Sequence, residues 1–205
     1  MKKRILFSLI LFMFISAQSQ ELFLSTGRNF TTYDYKNDDG ETNPNIKGSS
    51  ASFYELGYVF SINEKVALAA SLTLNGFDAT GGDYVNNYSW STNYLGAQGV
   101  FKYAIFQGSR SNFGLFINAG FNLSHIINGN QKINGQTYNL TSNEEFKGVF
   151  IKPLVGIDTR YFITNEIAFG LGYNISKSFG VFNNSPQKLN FNNQQIQFNL
   201  FVSIN

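Results

Sequence analysis

Ile167-Ala168-Phe169-Gly170-Leu171-Gly172-Tyr173-Asn174-Ile175-Ser176 sets a large apolar side chain against a small or polar one at every step. A period of two is the period of a β-strand, whose successive side chains leave opposite faces. One face of this strand is bulky, and the other carries little beyond glycine, alanine and short polar groups. The same pattern recurs toward the N-terminus. Tyr54, Leu56, Tyr58, Phe60 and Ile62 oppose Phe53, Glu55, Gly57, Val59 and Ser61. After a short turn at Ser61-Ile62-Asn63-Glu64-Lys65, the residues Val66, Leu68, Ala70, Leu72 and Leu74 oppose Ala67, Ala69, Ser71, Thr73 and Asn75. Residues 92–105, 113–125 and 148–162 behave likewise, and at the C-terminus Ile196, Phe198, Leu200, Val202 and Ile204 alternate with Gln195, Gln197, Asn199, Phe201 and Ser203. The first run, residues 21–33, alternates poorly and leaves the face of Arg28 unassigned.

These runs make eight strands. Short turns at 63–65, 107–112 and 164–166 alternate with long segments at 34–51, 76–91, 126–147 and 177–193 that are rich in Asn, Gly, Ser and Asp. Strict alternation of long and short connections places all the long ones at one end of an up-and-down sheet. Asn128-Gly129 and Asn134-Gly135 in the third long segment predict a small hairpin extending outward.

Eight strands with four to six large side chains each cannot turn all of them into a barrel whose interior is barely wide enough to be filled. The bulky faces must therefore point outward, into hydrocarbon, while Gly, Ala, Ser and Asn line a narrow lumen. Charge positions test this independently, because a lysine or arginine facing lipid at mid-depth costs about 2–4 kcal/mol. Glu55, Lys102, Lys152, Asp158 and Arg160 all fall on the small-residue face. The expected fold is all-β: an eight-stranded antiparallel up-and-down transmembrane β-barrel with a closed lumen. Its aromatic girdles comprise Phe60, Tyr103, Phe113 and Tyr161 on the short-turn side, with Tyr54, Tyr94, Phe121 and Tyr173 toward the long segments.

Composition agrees with that reading. Of 205 residues only 14% are charged, 17% are aromatic and none is cysteine, which excludes disulfides, thiolate metal sites and a cysteine-anchored lipoprotein. Lys2, Lys3 and Arg4 precede an apolar run from Ile5 to Ile15 and then Ser16-Ala17-Gln18-Ser19-Gln20, the layout of a cleaved export signal. The apolar run is too short for the ~20 residues of a spanning helix. Residues 1–20 are therefore expected to be the signal and residues 21–205 the barrel. Loss of the signal removes three positive charges and takes the formal net charge from +2 to −1, so no basic stripe remains for a nucleic-acid partner.

The whole mature chain resembles the small eight-stranded outer-membrane barrels of the OmpX and OmpW kind, and the generic outer-membrane β-barrel proteins of Bacteroidota. The resemblance implies a Gram-negative outer membrane, periplasmic termini and extracellular loops. It departs at Phe201-Val202-Ser203-Ile204-Asn205, where members usually end in an aromatic residue, leaving either a signal shifted to Phe198 and Phe201 or a different mode of recognition.

No catalytic residue, cofactor or metal site is expected. His125, the single histidine, lacks the His-x-Ser pattern of lipid A deacylases, and alternation sends Ser124 to the opposite face. Asn37-Asp38-Asp39-Gly40-Glu41 would put Tyr35 and Ile46 at the first and twelfth positions of a calcium loop, so that pattern fails. The first functional expectation is a non-enzymatic barrel in contact with outer-membrane lipid and with a larger outer-membrane protein. A carrier of small hydrophobic molecules is the alternative, with Phe53, Val59, Val100, Phe116, Leu154 and Phe201 as its apolar lumen groups; a lipid-modifying enzyme is the third. Inside the lumen, Lys102 and Asp158 are expected to pair, as are Glu55 and Lys152. On the outer wall, Ala70, Ala97, Gly99 and Ala119 fall on three consecutive strands, a depression suited to docking.

Overall fold

The computed structural model describes residues 20–37, 39–42, 45–82, 86–107, 112–181 and 187–204. The export segment lies outside them except for Gln20, which opens the first strand. Among the described residues the chain runs through β1 Gln20–Lys36, β2 Ile46–Ser61, β3 Val66–Gly82, β4 Asn87–Gln107, β5 Phe113–Ile133, β6 Gln136–Asn139, β7 Val149–Phe162, β8 Ile167–Val181 and β9 Lys188–Ile204. All neighbours are antiparallel, and β1 closes on β9 from Gln20↔Ile204 to Lys36↔Lys188. Eight strands thus form a ring, while β6 hangs from the far end of β5. Closure leaves those eight without a free edge.

The strand that opened the sequence reading shows how the ring is dressed. Ile167, Phe169, Leu171, Tyr173 and Ile175 point outward and are 38–52% exposed, whereas Ala168, Gly170, Gly172 and Asn174 are buried inside. Leu24, Leu56, Leu72, Leu95, Phe121, Ile157 and Phe198 continue the exposed apolar band around the other strands. A band of this extent has no counterpart on a water-soluble surface. Arg28 stands on the outer face opposite Ser52 and Ile196, in a β1 register without a bulge.

Two turns at the end bearing the termini use one device. Asn63 Oδ1 accepts the backbone N–H groups of Lys65 and Val66, both at 2.9 Å, and Thr164 Oγ1 accepts those of Glu166 and Ile167 at 3.1 and 3.0 Å. A side-chain oxygen at the second turn position thus replaces backbone partners and fixes the hairpin.

The opposite end departs from expectation. Half or more of each of the segments 34–51, 76–91, 126–147 and 177–193 is strand, and between strands of the ring the links shorten to 37–45, 83–86, 134–148 with β6 inside it, and 182–187. Alternation persists there, but its sense inverts. Tyr33, Phe77, Ala79, Leu189 and Phe191 point inward, while Thr32, Thr80 and Lys188 point out. Above the apolar band the outer face meets polar surroundings, so polar residues leave the inside and large ones fill it. Tyr94 follows the inverted sense: it is fully buried in the lumen rather than part of the girdle. Asn134-Gly135 makes the hairpin turn with φ of 49° and 86°, the left-handed pair of a type I′ turn. Asn128-Gly129 instead lies within β5, beside a bulge that opposes Asn93 and Tyr94 to Asn128 and Ile126.

Candidate functional site in the barrel lumen

The lumen is filled in layers. Nearest the termini, the Arg160 guanidinium on β7 donates to Glu21 Oε2 on β1 at 2.7 Å. It lies over the rings of Phe201 and Phe116, 3.7 and 4.7 Å from their centroids. Stacking on two rings suits a planar, weakly hydrated cation and lowers the penalty of burying it. Above it Phe23, Val59, Val100, Leu154 and Phe201 form an apolar cluster, with Phe23 and Phe201 5.9 Å apart.

Lys102 on β4 and Asp158 on β7 meet at 2.5 Å with side-chain exposures of 7% and 1%. Gly172 makes room for the pair, since a Cβ there would sit 2.5 Å from Asp158 Oδ1 and 2.8 Å from Gln197 Cγ. Glu55 and Lys152 do not form the expected ion pair. Glu55 Oε1 instead accepts from Ser71 Oγ at 2.5 Å and Gln98 Nε2 at 2.8 Å. Lys152 Nζ donates to Asn75 Oδ1 at 2.8 Å and lies 5.7 Å from the Phe77 ring centroid. Short polar side chains at intermediate positions reach each charge before the two can reach across to one another.

The middle layer is a hydrogen-bonded mesh. Asn75 Nδ2 and Asn122 Nδ2 both donate to Thr73 Oγ1, at 2.9 and 2.8 Å. Asn193 Nδ2 reaches Asn29 Oδ1 at 3.2 Å, and Thr31 Oγ1 donates to Asn193 Oδ1 at 3.0 Å. Along β9, Gln195 donates to Gln197, which donates to Asn199. Among the described residues three buried cations, Lys102, Lys152 and Arg160, thus share the interior with three carboxylates, Glu21, Glu55 and Asp158. Such a balance inside a low-dielectric lumen avoids uncompensated charge.

Toward the other end an aromatic plug closes the barrel. Phe77 stacks on Phe191 at 4.8 Å, and Tyr94 and Phe150 meet Phe191 at 5.7 and 5.2 Å. The Tyr33 hydroxyl donates to the Phe77 carbonyl at 2.8 Å. The sequence reading missed this plug and Glu21. Phe77 and Phe191 lie in segments expected to be loops, Tyr94 in the expected outer girdle, Phe150 in a run expected to be strand, and Tyr33 and Glu21 in the run whose alternation is poor; inward alternation of Phe77 with Ala79 and of Leu189 with Phe191 was the available signal.

The apolar lumen groups Phe53, Val59, Val100, Phe116, Leu154 and Phe201 all point inward and are buried. Phe116 and Phe201 are already covered by Arg160. A cavity beside Glu55, Lys102 and Asp158 measures about 20 Å³, the space of a single water. His125 is exposed on the outer face, its Nδ1 2.9 Å from the Gly148 carbonyl, while Ser124 is buried inside. On the outer wall Ala70 stands opposite Gly99, Ala97 lies between Leu72 and Leu123, and Ala119 lies between Phe101 and Val155. The four occupy three neighbouring rows rather than one, and a Cβ on Gly99 would meet nothing within 4 Å.

A solved outer-membrane protein shares this architecture. The outer membrane protein OprG from Pseudomonas aeruginosa is 11% identical, with a TM-score of 0.58 over 91% of this chain and 96% of its own. The N-terminal β-barrel domain of Pseudomonas aeruginosa OprF is 11% identical, with a TM-score of 0.48 over 91% of this chain and 100% of its own. The outer membrane protease OmpT from Escherichia coli is 8% identical, with a TM-score of 0.49 over 92% of this chain and 98% of its own. At 11% identity the likeness to OprG is one of fold alone. Comparison with curated proteins finds no match. The family model described as the outer membrane protein β-barrel domain matches residues 5–202. With its closed ring, outward apolar band and filled lumen, the chain belongs to that family of bacterial outer-membrane barrels.

Proposed function

We propose that this barrel is non-enzymatic and non-conducting and that it works through its surfaces. Its termini lie in the periplasm, its extended strand ends outside the cell, and its lipid-facing wall docks on a larger outer-membrane protein. The observation that carries this reading is the lumen, filled by a mesh of polar side chains between two apolar clusters. A carrier needs an open apolar route, and of the apolar lumen groups Val59, Val100, Leu154 and Phe201 pack together, Phe116 lies under Arg160 and Phe53 is fully buried. An acyl-transfer or hydrolytic site needs its nucleophile and base on one face, and Ser124 and His125 stand on opposite faces.

The wall offers the depression around Ala70, Ala97, Gly99 and Ala119, where a partner's backbone can approach closely. In native membranes solubilised with mild detergent, the wild-type chain should bring down a stoichiometric partner. Ala97→Leu with Ala119→Leu should fold normally, as judged by heat-modifiable gel migration, and lose that partner. A wild-type chain that purifies alone, or a variant that keeps its partner, would remove the docking face.

A further inference from the structure

At the end of the barrel opposite the termini, a pocket of about 200 Å³ opens above the aromatic plug. Tyr33, Trp90 and Phe146 form its wall. The Tyr33 centroid lies 6.3 Å from each of the other two rings, at interplanar angles of 45° and 56°, so the rings form a splayed cup rather than a stack. The Tyr33 hydroxyl is committed to the Phe77 carbonyl, and that of Tyr35, also in the lining, to Gln187 Oε1 at 2.5 Å. Both tyrosines therefore bring rings, not free hydroxyls, to the pocket.

Charge decides what such a cup prefers. Glu145 lines it, half-buried, and has no ion-pair partner among the described residues; the nearby Lys147 is 3.8 Å from Glu144 instead. Four lysines come close in sequence. Lys36, Lys47, Lys132 and Lys188 are the immediate strand neighbours of the lining residues Tyr35, Ile46, Gln131 and Leu189. Strand alternation turns each of them to the other face, and all four are exposed there. Among the described residues the pocket is thus left with one carboxylate, aromatic walls and no cation of its own.

We propose that this cup binds a small organic cation carrying a quaternary or alkylated ammonium group, held by the aromatic faces and by Glu145. Ring quadrupoles attract a cation that sheds water easily, and a half-buried carboxylate supplies the counter-charge. A neutral apolar ligand would use the walls and gain nothing from Glu145. The site does not depend on which side of the membrane this end faces, nor on the docking wall.

Trp90 is the single tryptophan of the chain, so its fluorescence reports on this pocket alone. The full-length protein, held in a polyoxyethylene detergent without choline headgroups, is titrated with choline and with its uncharged isostere 3,3-dimethylbutan-1-ol. The expected result is a saturable fluorescence change with choline at a Kd about tenfold or more below that of the alcohol. Glu145→Gln should remove most of that preference while leaving heat-modifiable migration unchanged. Trp90→Leu, followed by calorimetry because the signal is lost, should weaken choline binding by a similar factor. Equal affinity for the alcohol, saturation by glucose or galactose without choline, no response to any probe, or unchanged binding by a folded Glu145→Gln protein would each overturn the proposal.

Discussion

Replacing Asp158 with Ala lowers the stability of the barrel by about 3–5 kcal/mol, because Lys102 is left buried with an uncompensated charge. The two side chains meet at 2.5 Å inside the lumen with little solvent exposure, and a neutral water molecule would not replace the charge of the missing carboxylate. Glu55 borders the same small cavity but is held by Ser71 and Gln98, so it cannot substitute without breaking those bonds. Joint replacement, Lys102→Met with Asp158→Leu, should recover most of the loss, since a buried pair exchanged for apolar groups of similar volume is often neutral. Urea titration of the folded fraction in lipid vesicles measures both. Equal losses in the single and double variants would show that the site needs polar groups as such rather than charge balance.

A comparable loss is expected on the opposite side of the wall. Leu72 is 62% exposed between Leu56 and Ala97, midway along its strand, and Leu72→Arg there should cost about 2–4 kcal/mol in the same vesicles. Ile62, 59% exposed at a turn beside the termini, is the control. Ile62→Arg should cost about 0–1 kcal/mol, because at the membrane boundary the guanidinium reaches water. The two leucine-like positions are equally bare in the isolated chain, so only the surrounding lipid distinguishes them. Similar costs at both would mean that the band does not sit in hydrocarbon.

What was legible in the sequence follows the solvent on each face. Where lipid lies outside and a narrow lumen inside, alternation of the Leu171 and Gly172 kind is unmistakable, and it put Glu55, Lys102, Lys152, Asp158 and Arg160 on the inner face. Their partners were harder to read. Lys102 and Asp158 meet across strands β4 and β7, whereas Glu55 and Lys152 are each intercepted by Ser71, Gln98 or Asn75, and short polar residues near a charge leave no periodic mark. Farther up the wall, large residues turn inward and polar ones outward, so stretches such as Phe77–Thr80 and Lys188–Phe191 look like loops when read by the rule that holds below. The aromatic plug and the cup above it were hidden by that inversion rather than by any weakness of the pattern.

The closed lumen is the claim on which the rest depends, and planar-bilayer recording of the purified protein addresses it directly. Polar mesh, buried ion pair and aromatic plug together predict no stable single-channel conductance at any protein concentration that yields inserted, heat-modifiable barrels. Reproducible unitary steps from such a preparation would contradict the account, because ions would then be crossing an interior that it holds to be filled.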